Sequence, residues 1–416
     1  MGNAGAPAPG RGLIRQIGAV SVITGLSQVC FMGANVLLGR HLAPADFGLV
    51  GLANMLIQLT AYLGLFGLNS ALIRSVPQAD LNRYDWKAGV GRVALLAFAI
   101  TAAVTTGAAI IYHFTPLQTL SMILAGWLFG LTVAGGALLS IQRRFTLSQL
   151  LVYLWRPLLL VVTVGLVATR ALSTAAILAT YVAAGLVQVV GVFAALRRSP
   201  SGTAPLPTAR LVTEGLLFFG LFMTGTLMLR LDAFLVAGLV DKAALGRYQA
   251  AGNIALTGYG ILSLGVGQVL NPRVASGEPL RLGRLTALLL AVGGTAAIAL
   301  TLLGTPLIHW LYAHRFTGDF TPLIGLFCLT GLVQMAYVVP SSVLGVRAPL
   351  ATLRLFLYIN LVSVAINAGL NLWLIPRHGL EGAALATLVS WIWRLGWAAG
   401  LARGLPAARA VAAAAV

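Results

Sequence analysis

Residues 172–210 read LSTAAILATYVAAGLVQVVGVFAALRRSPSGTAPLPTAR. The run Leu172–Leu196 carries no charged side chain, ends on Arg197 and Arg198, and gives way to Ser199–Ala209, which is polar and rich in Pro and Gly. An apolar run of this length, at ~1.5 Å per helical residue, crosses a hydrocarbon core of ~30 Å. Arginines at its end stay in the cytoplasm during insertion. The segment therefore reads as a transmembrane helix that leaves the bilayer on the cytoplasmic side and enters a linker.

Working outward, five similar runs precede it: Leu13–Leu38, Phe47–Ile73, Val93–Phe114, Leu117–Ile141 and Leu150–Ala168. Six follow: Leu211–Leu239, Tyr248–Leu270, Leu285–Trp310, Phe320–Val346, Leu350–Ile375 and Gly382–Ala402. With the N-terminus inside, eighteen basic residues fall in cytoplasmic segments, among them Arg83, Lys87, Arg143, Arg144, Arg281 and Arg284. Six fall outside: Arg40, Arg170, Lys242, Arg247, Arg315 and Arg377. Both termini are thus expected inside. The expected fold is an all-α polytopic membrane protein of twelve transmembrane helices, in two six-helix lobes around a central cleft. The lobes are 1–198 and 211–403, joined by a cytoplasmic linker, 199–210, and followed by a tail, 404–416.

Charged residues make up 9% of the chain and hydrophobic ones 59%, far from the mix of a soluble domain. The net charge of +18 does not point to nucleic acid, because the excess sits in short loops where topology explains it. Basic loops of this kind also meet anionic membrane lipids. The first apolar run is span-length and is not followed by a cleavage site, so no removable signal is expected. Cys30 and Cys328 lie in apolar runs and read as inert, and the five His all lie near span ends. There is no G-x-x-x-x-G-K-[ST] loop, so this chain is not expected to consume ATP, and no catalytic constellation marks it as an enzyme.

Six spans per half give both halves the same orientation, so any internal repeat is parallel. At an offset of 199, Asn54 meets Asn253, Gln58 meets Thr257, Asn69 meets Gln268 and Arg74 meets Arg273. Just before them Ala45-Asp46-Phe47-Gly48 resembles Ala243-Ala244-Leu245-Gly246 at an offset of 198.

Polar side chains recur on single helix faces: Ser21, Thr24, Gln28 and Asn35 in the first span, and Asn54, Gln58, Tyr62 and Asn69 in the second. Such stripes either bond a neighbouring helix or line a watery path. Three arginines, Arg156, Arg230 and Arg394, lie within spans, where a guanidinium costs at least ~2.5–3.5 kcal/mol at mid-bilayer. Arg156 directly precedes Pro157 and either snorkels or faces the cleft; Arg15 is either an inside anchor or a residue at the cavity mouth. Asp232 is the one carboxylate well inside a span, so the cleft is expected to be net positive and to suit an anion that guanidinium can fork. The candidate substrate-binding residues are Arg156, Arg230, Arg15, Arg394, Gln28, Asn35, Asn54 and Gln58.

The segments Leu38–Asn54 (LGRHLAPADFGLVGLAN), Asp232–Gly252 with its LG-x-Y-x-x-A pattern, and Asn367–Ser390 (NAGLNLWLIPRHGLEGAALATLVS) resemble polysaccharide flippases of the multidrug/oligosaccharidyl-lipid/polysaccharide exporter superfamily. The resemblance covers nearly the whole chain and is loosest at spans five and six. It implies export of a polyprenyl-pyrophosphate-linked oligosaccharide from inner to outer leaflet of a bacterial cytoplasmic membrane, by alternating access and without covalent chemistry. It also implies a monomer working among other polysaccharide-assembly proteins. A cation-coupled multidrug exporter of the same superfamily would share the fold, but cationic drugs want acidic cavity residues. A glycan polymerase or ligase would want a large external loop, and none is present.

Depth along the spans gathers a second set. Asp232, Asn367, Asn371 and Thr387 all lie on the order of 10 Å below the outer surface at ~1.5 Å per residue. With the carbonyl of Ala383 they offer a carboxylate, two amide oxygens, a hydroxyl and a backbone oxygen to a monovalent cation, sodium or a proton. Cation sites of some superfamily members fall at matching places, with Asn371 here standing where one of those uses a carboxylate. The alternative is that Asp232 pairs with a buried Arg.

Overall fold

A computed structural model of the chain describes residues 9–68, 84–197, 199, 202–204, 208–275 and 282–405. Side chains are excepted at 9–18, 208–214, 264, 265, 268, 269, 271–273, 275 and 282. Among the described residues the regular structure is helical: α1 (Pro9–His41), α2 (Pro44–Leu63), α3 (Trp86–Tyr112), α4 (Pro116–Ile141), α5 (Phe145–Tyr153), α6 (Trp155–Ala168), α7 (Thr174–Leu196), α8 (Thr208–Leu239), α9 (Lys242–Ala275), α10 (Leu282–Leu311), α11 (Thr321–Arg347) and α12 (Leu350–Arg403). Ten of these are long and apolar enough to cross a membrane, with α5 and α6 counting as one. α12 breaks at Gly379, whose φ of 58° and ψ of −132° suit a residue without Cβ, so it supplies two crossings. The more polar α9, 34 residues long, adds the twelfth. The protein is an all-α polytopic membrane protein, as its sequence predicts.

Local signals set the helix ends. Thr115 and Gln118 form a reciprocal capping box ahead of Pro116, and Asp85 and Ser173 accept from the backbone N–H groups of Ala88 and Ala176. One expectation needs correction. The second span, read from sequence as Phe47–Ile73, stops at Leu63, and a turn follows with Phe66 at φ 45° and Gly67 at φ 68°. A Cβ at Gly67 would run into the Gly215 carbonyl and the Phe219 backbone, so the turn closes against α8 where only glycine fits. Asn54, Gln58 and Tyr62 therefore share a face, whereas Asn69 lies beyond the turn and outside the described residues. The repeat partner α9 runs on to Ala275 without this turn.

The chain forms two compact units, Met1–Asn35 with Ala53–Phe219, and Val36–Leu52 with Gly220–Val416. In the first, small residues let helices approach: Gly185 on α7 faces Leu128 and Phe129 of α4, and Gly135 on α4 faces Val192. α3 leaves Leu95 76% exposed and α10 of the second unit leaves Leu302 71% exposed, apolar faces suited to lipid. In the second unit the α1–α2 turn is packed in. Arg40 donates to the Trp310 carbonyl (3.0 Å), Arg315 donates to the Arg40 carbonyl (3.2 Å), and the Phe47 ring lies 5.8 Å from that of Phe316. A Cβ on Gly48 would overlap the carbonyl oxygen of Lys242, and one on Gly246 would overlap that of Pro44.

Candidate functional site

Each unit buries a polar cluster. In the first, Arg156 stands at the start of α6, where Pro157 cannot donate and the helix breaks from α5. Gln188 on α7 covers the break: its Nε2 donates to the carbonyls of Leu151 (2.7 Å) and Val152 (2.8 Å). Arg156 Nη1 donates to Gln28 Oε1 (2.8 Å) and Ser27 Oγ (3.4 Å) on α1. Its guanidinium lies 4.7 Å from the Tyr153 ring, 5.4 Å from Trp155 and 5.7 Å from Phe31. Such cation–π contacts are worth ~0.5–2 kcal/mol each, more as water is excluded. Gln28, Ser27 and the three rings together hold the guanidinium in place.

Beside it lies a cavity of about 50 Å³, lined by Arg156, Gln58, Tyr62, Thr132, Tyr153 and the buried Gln188. At roughly 10–15 Å³ per water it admits a few waters and no sugar ring. Gln188 Oε1 is buried there without a hydrogen-bond partner. Of the residues read from sequence, the structure thus joins Arg156 to Gln28 directly and sets Gln58 in the same cavity wall. Gln58 donates to Asn54 Oδ1 (2.9 Å), while Asn35 turns back to its own helix at the Phe31 carbonyl (2.8 Å). The Arg15 side chain lies outside the described residues.

In the second unit Asp232 on α8 is 5% exposed. Its Oδ2 accepts from Tyr248 Oη (2.6 Å) and Thr387 Oγ1 (2.9 Å), and its Oδ1 from the Ala233 N–H (2.7 Å). Asn367 Nδ2 donates to Thr387 Oγ1 (3.4 Å), and Asn371 Nδ2 donates to Asn367 Oδ1 (3.1 Å) and to the Asn367 carbonyl (2.8 Å). Asn371 Oδ1 is buried without a partner, and Ala383 is fully buried one turn before Thr387. All five residues grouped by depth are therefore buried in one unit, and four belong to one hydrogen-bonded chain. A carboxylate, two side-chain amides and a hydroxyl are oxygen donors of the kind a hard monovalent cation takes.

The direct partners of Asp232 are two hydroxyls and a backbone N–H. Among the described residues no salt bridge joins Asp232 to an arginine. Arg230 is half-buried on α8. Arg394, 5% exposed, donates to Asn360 Oδ1 (2.8 Å) and stacks 4.6 Å from Tyr337 and 4.9 Å from Trp391.

Sequence reasoning missed Tyr248, Gln188, Asn360, Tyr337 and Trp391 as site residues. Tyr248 was within reach: it lies within one residue of the same distance into α9 from Lys242 as Asp232 lies from the end of α8, so the depth rule that gathered the other four also selects it. Tyr337 and Trp391 gave no such signal, since an aromatic in an apolar span reads as packing.

No curated protein matches in sequence. The fold is that of solved transporters. It resembles "Lipid II flippase MurJ, inward closed conformation", with TM-score 0.67 and 14% identity over 93% of this chain and 88% of that one. It also resembles a mutant of the Vibrio cholerae MATE transporter VcmN, with TM-score 0.62 and 15% identity over 94% of this chain and 97% of that one. A third likeness is to an outward-facing multidrug resistance MATE family transporter of the MOP superfamily, with TM-score 0.60 and 16% identity over 96% of this chain and 100% of that one. The polysaccharide biosynthesis protein family matches residues 37–316, which is most of the sequence, and the chain belongs to that family.

Proposed function

We propose that this protein carries a polyprenyl-pyrophosphate-linked oligosaccharide from the inner to the outer leaflet of a bacterial cytoplasmic membrane by alternating access. A flippase or exporter is what the family and the transporter fold support. The observation that carries the finer reading is Arg156: a guanidinium placed within a span and oriented by Gln28, Ser27 and three rings. A guanidinium so oriented presents a planar fork, and a pyrophosphate is the anion that fork matches. In this reading Arg230, Arg394 and Arg15 are further candidates for the anion. Gln58, Asn54 and Asn35 offer hydrogen bonds to the sugars, and the lipid tail stays in the bilayer. No bond is made or broken.

The driving force in this proposal is a monovalent cation, sodium or a proton, held by Asp232, Asn367, Asn371, Thr387 and the Ala383 carbonyl. Both termini are cytoplasmic, and the protein works as a monomer alongside other polysaccharide-assembly proteins. A drug exporter is the weaker alternative, because Asp232 is the one carboxylate well inside a span.

The test is deletion of the gene and chemical identification of the lipid-linked intermediate that accumulates on the cytoplasmic side. Arg156→Ala fails to clear it at normal membrane abundance, and Arg156→Lys clears it in part. Accumulation of no lipid-linked glycan overturns the substrate class. Full clearance by Arg156→Ala overturns the role of Arg156.

A further inference from the structure

At the end of the first unit where α3 begins and α7 ends, a surface groove of about 620 Å³ opens between the two helices. Its floor is Trp86, 3% exposed and packed into the cluster of Leu138, Leu139, Leu151 and Val192, so the floor is fixed. Its walls are Val90, Val190 and Phe193, and Val190 is 61% exposed, so one side faces the hydrocarbon. At its mouth stand Lys87 and Arg197, both exposed. Among the described residues neither forms a salt bridge, and Lys87 Nζ lies 5.7 Å from the Trp86 ring. Arg144 adds a third cation, donating to the Ala195 carbonyl at the end of α7 (3.0 Å). Asp85, two residues before Lys87 in sequence, is engaged as the α3 cap.

The mouth is pre-shaped by the linker. The Asp85 N–H donates to the Ala204 carbonyl (2.8 Å), the Gly202 N–H to the Tyr84 carbonyl (3.0 Å), and Ser199 Oγ to Gln142 Oε1 (3.2 Å). These bonds fasten the linker across the ends of α3 and α4 beside the groove.

We propose that this groove is a resident site for an anionic glycerophospholipid of the inner leaflet, its phosphate between Lys87 and Arg197 and an acyl chain along Val90, Val190 and Phe193. Charge complementarity selects the occupant. Exposed cations at the rim of an apolar slot match a headgroup that is negative above a hydrocarbon tail, and the distribution of basic residues puts this rim at the anionic cytoplasmic leaflet. A zwitterionic lipid brings its own cation to the same rim and gains less. An apolar partner helix would leave both cations without a counter-charge.

The site is tested on the full-length protein, purified, stripped of lipid and reconstituted with phosphatidylglycerol, phosphatidylcholine or polyprenyl pyrophosphate in separate arms. Native mass spectrometry then counts the lipid retained. The proposal expects one phosphatidylglycerol retained at least ~10-fold more strongly than phosphatidylcholine, with that preference lost in Lys87→Gln/Arg197→Gln. Val190→Trp, which fills the slot and leaves the charges, loses the same molecule. Arg170→Gln, which precedes α7 at the opposite end of that helix from the groove, keeps it. Equal retention of phosphatidylcholine and phosphatidylglycerol means an apolar crevice only and overturns the proposal. So does unchanged phosphatidylglycerol retention in both groove variants, and so does exclusive retention of polyprenyl pyrophosphate, which would make the groove part of the substrate path.

Discussion

Tyr248→Phe separates the two things the Asp232 cluster can be. Tyr248 Oη and Asp232 Oδ2 are 2.6 Å apart, and the residues are 4% and 5% exposed, so no bulk water replaces the hydroxyl when it is removed. A hydrogen bond to a charged group contributes ~1.5–3 kcal/mol. The phenyl ring keeps its edge-to-face packing on Phe327, 4.8 Å between centroids, so the loss is confined to the hydroxyl. In cation-free buffer the carboxylate keeps only Thr387 and one backbone donor, and the protein loses stability by about that ~1.5–3 kcal/mol. A bound cation replaces the lost donor, so the empty state is destabilised more than the loaded one. Apparent cation affinity then rises by roughly 10–150-fold, since ~1.4 kcal/mol is tenfold. The assay is thermal unfolding of detergent-solubilised protein across a sodium titration, repeated at several pH values and in the Asp232→Asn background. In that background Tyr248→Phe is expected to be nearly silent, because the pair acts as one unit. A variant that binds the cation more weakly would refute the reasoning, since Tyr248 would then be a ligand rather than a competitor.

Further outcomes follow from other contacts. Asp232→Asn loses transport and its sodium dependence, and adding Arg394→Gln does not rescue it, because no salt bridge joins the two; rescue measured in a transport assay would overturn the site. Gly48→Ala and Gly246→Ala each force two backbones apart, costing about 1–3 kcal/mol. In a background without Cys30 and Cys328, Tyr312→Cys, fully buried beside Phe47 in the parent, is then labelled by an impermeant thiol reagent roughly 5–150-fold faster; unchanged labelling in both variants would count against the contact. Gly379→Ala puts a Cβ at φ 58°, ψ −132° and lowers stability by about 1–3 kcal/mol in thermal unfolding, with no neighbour struck. A reporter active only outside the cytoplasm is silent after Ser199 and active after Lys242 or Arg315; the inverse pattern refutes the orientation.

The twelve crossings were legible because burial in lipid leaves a one-dimensional record: length and apolarity are read straight along the chain. The depth of Asp232, Asn367, Asn371 and Thr387 was legible for the same reason, since ~1.5 Å per residue converts position into height. What height cannot give is azimuth. Whether Arg394 faced Asp232 or Asn360 depended on which way each helix was rotated, and only packing decides that. The turn after Leu63 was hidden because Gly64 and Gly67 stand in an apolar run that reads as continuous helix. Its cause is a contact with α8, more than a hundred residues away. Gln188 was opaque for a related reason: its role is set by a helix break on another element.

The paired glycines have a consequence of their own. Gly48 meets Lys242, and Gly246 meets Pro44; Lys242 and Gly246 are Pro44 and Gly48 displaced by 198, so the contact is its own mirror under that shift. A surface on which residue i touches j while j touches i is isologous, the geometry of two identical subunits about a twofold axis. A single polypeptide has no need of such reciprocity, because its two sides are free to diverge. At this spot one polypeptide reproduces, within itself, the self-complementary contact of a homodimer.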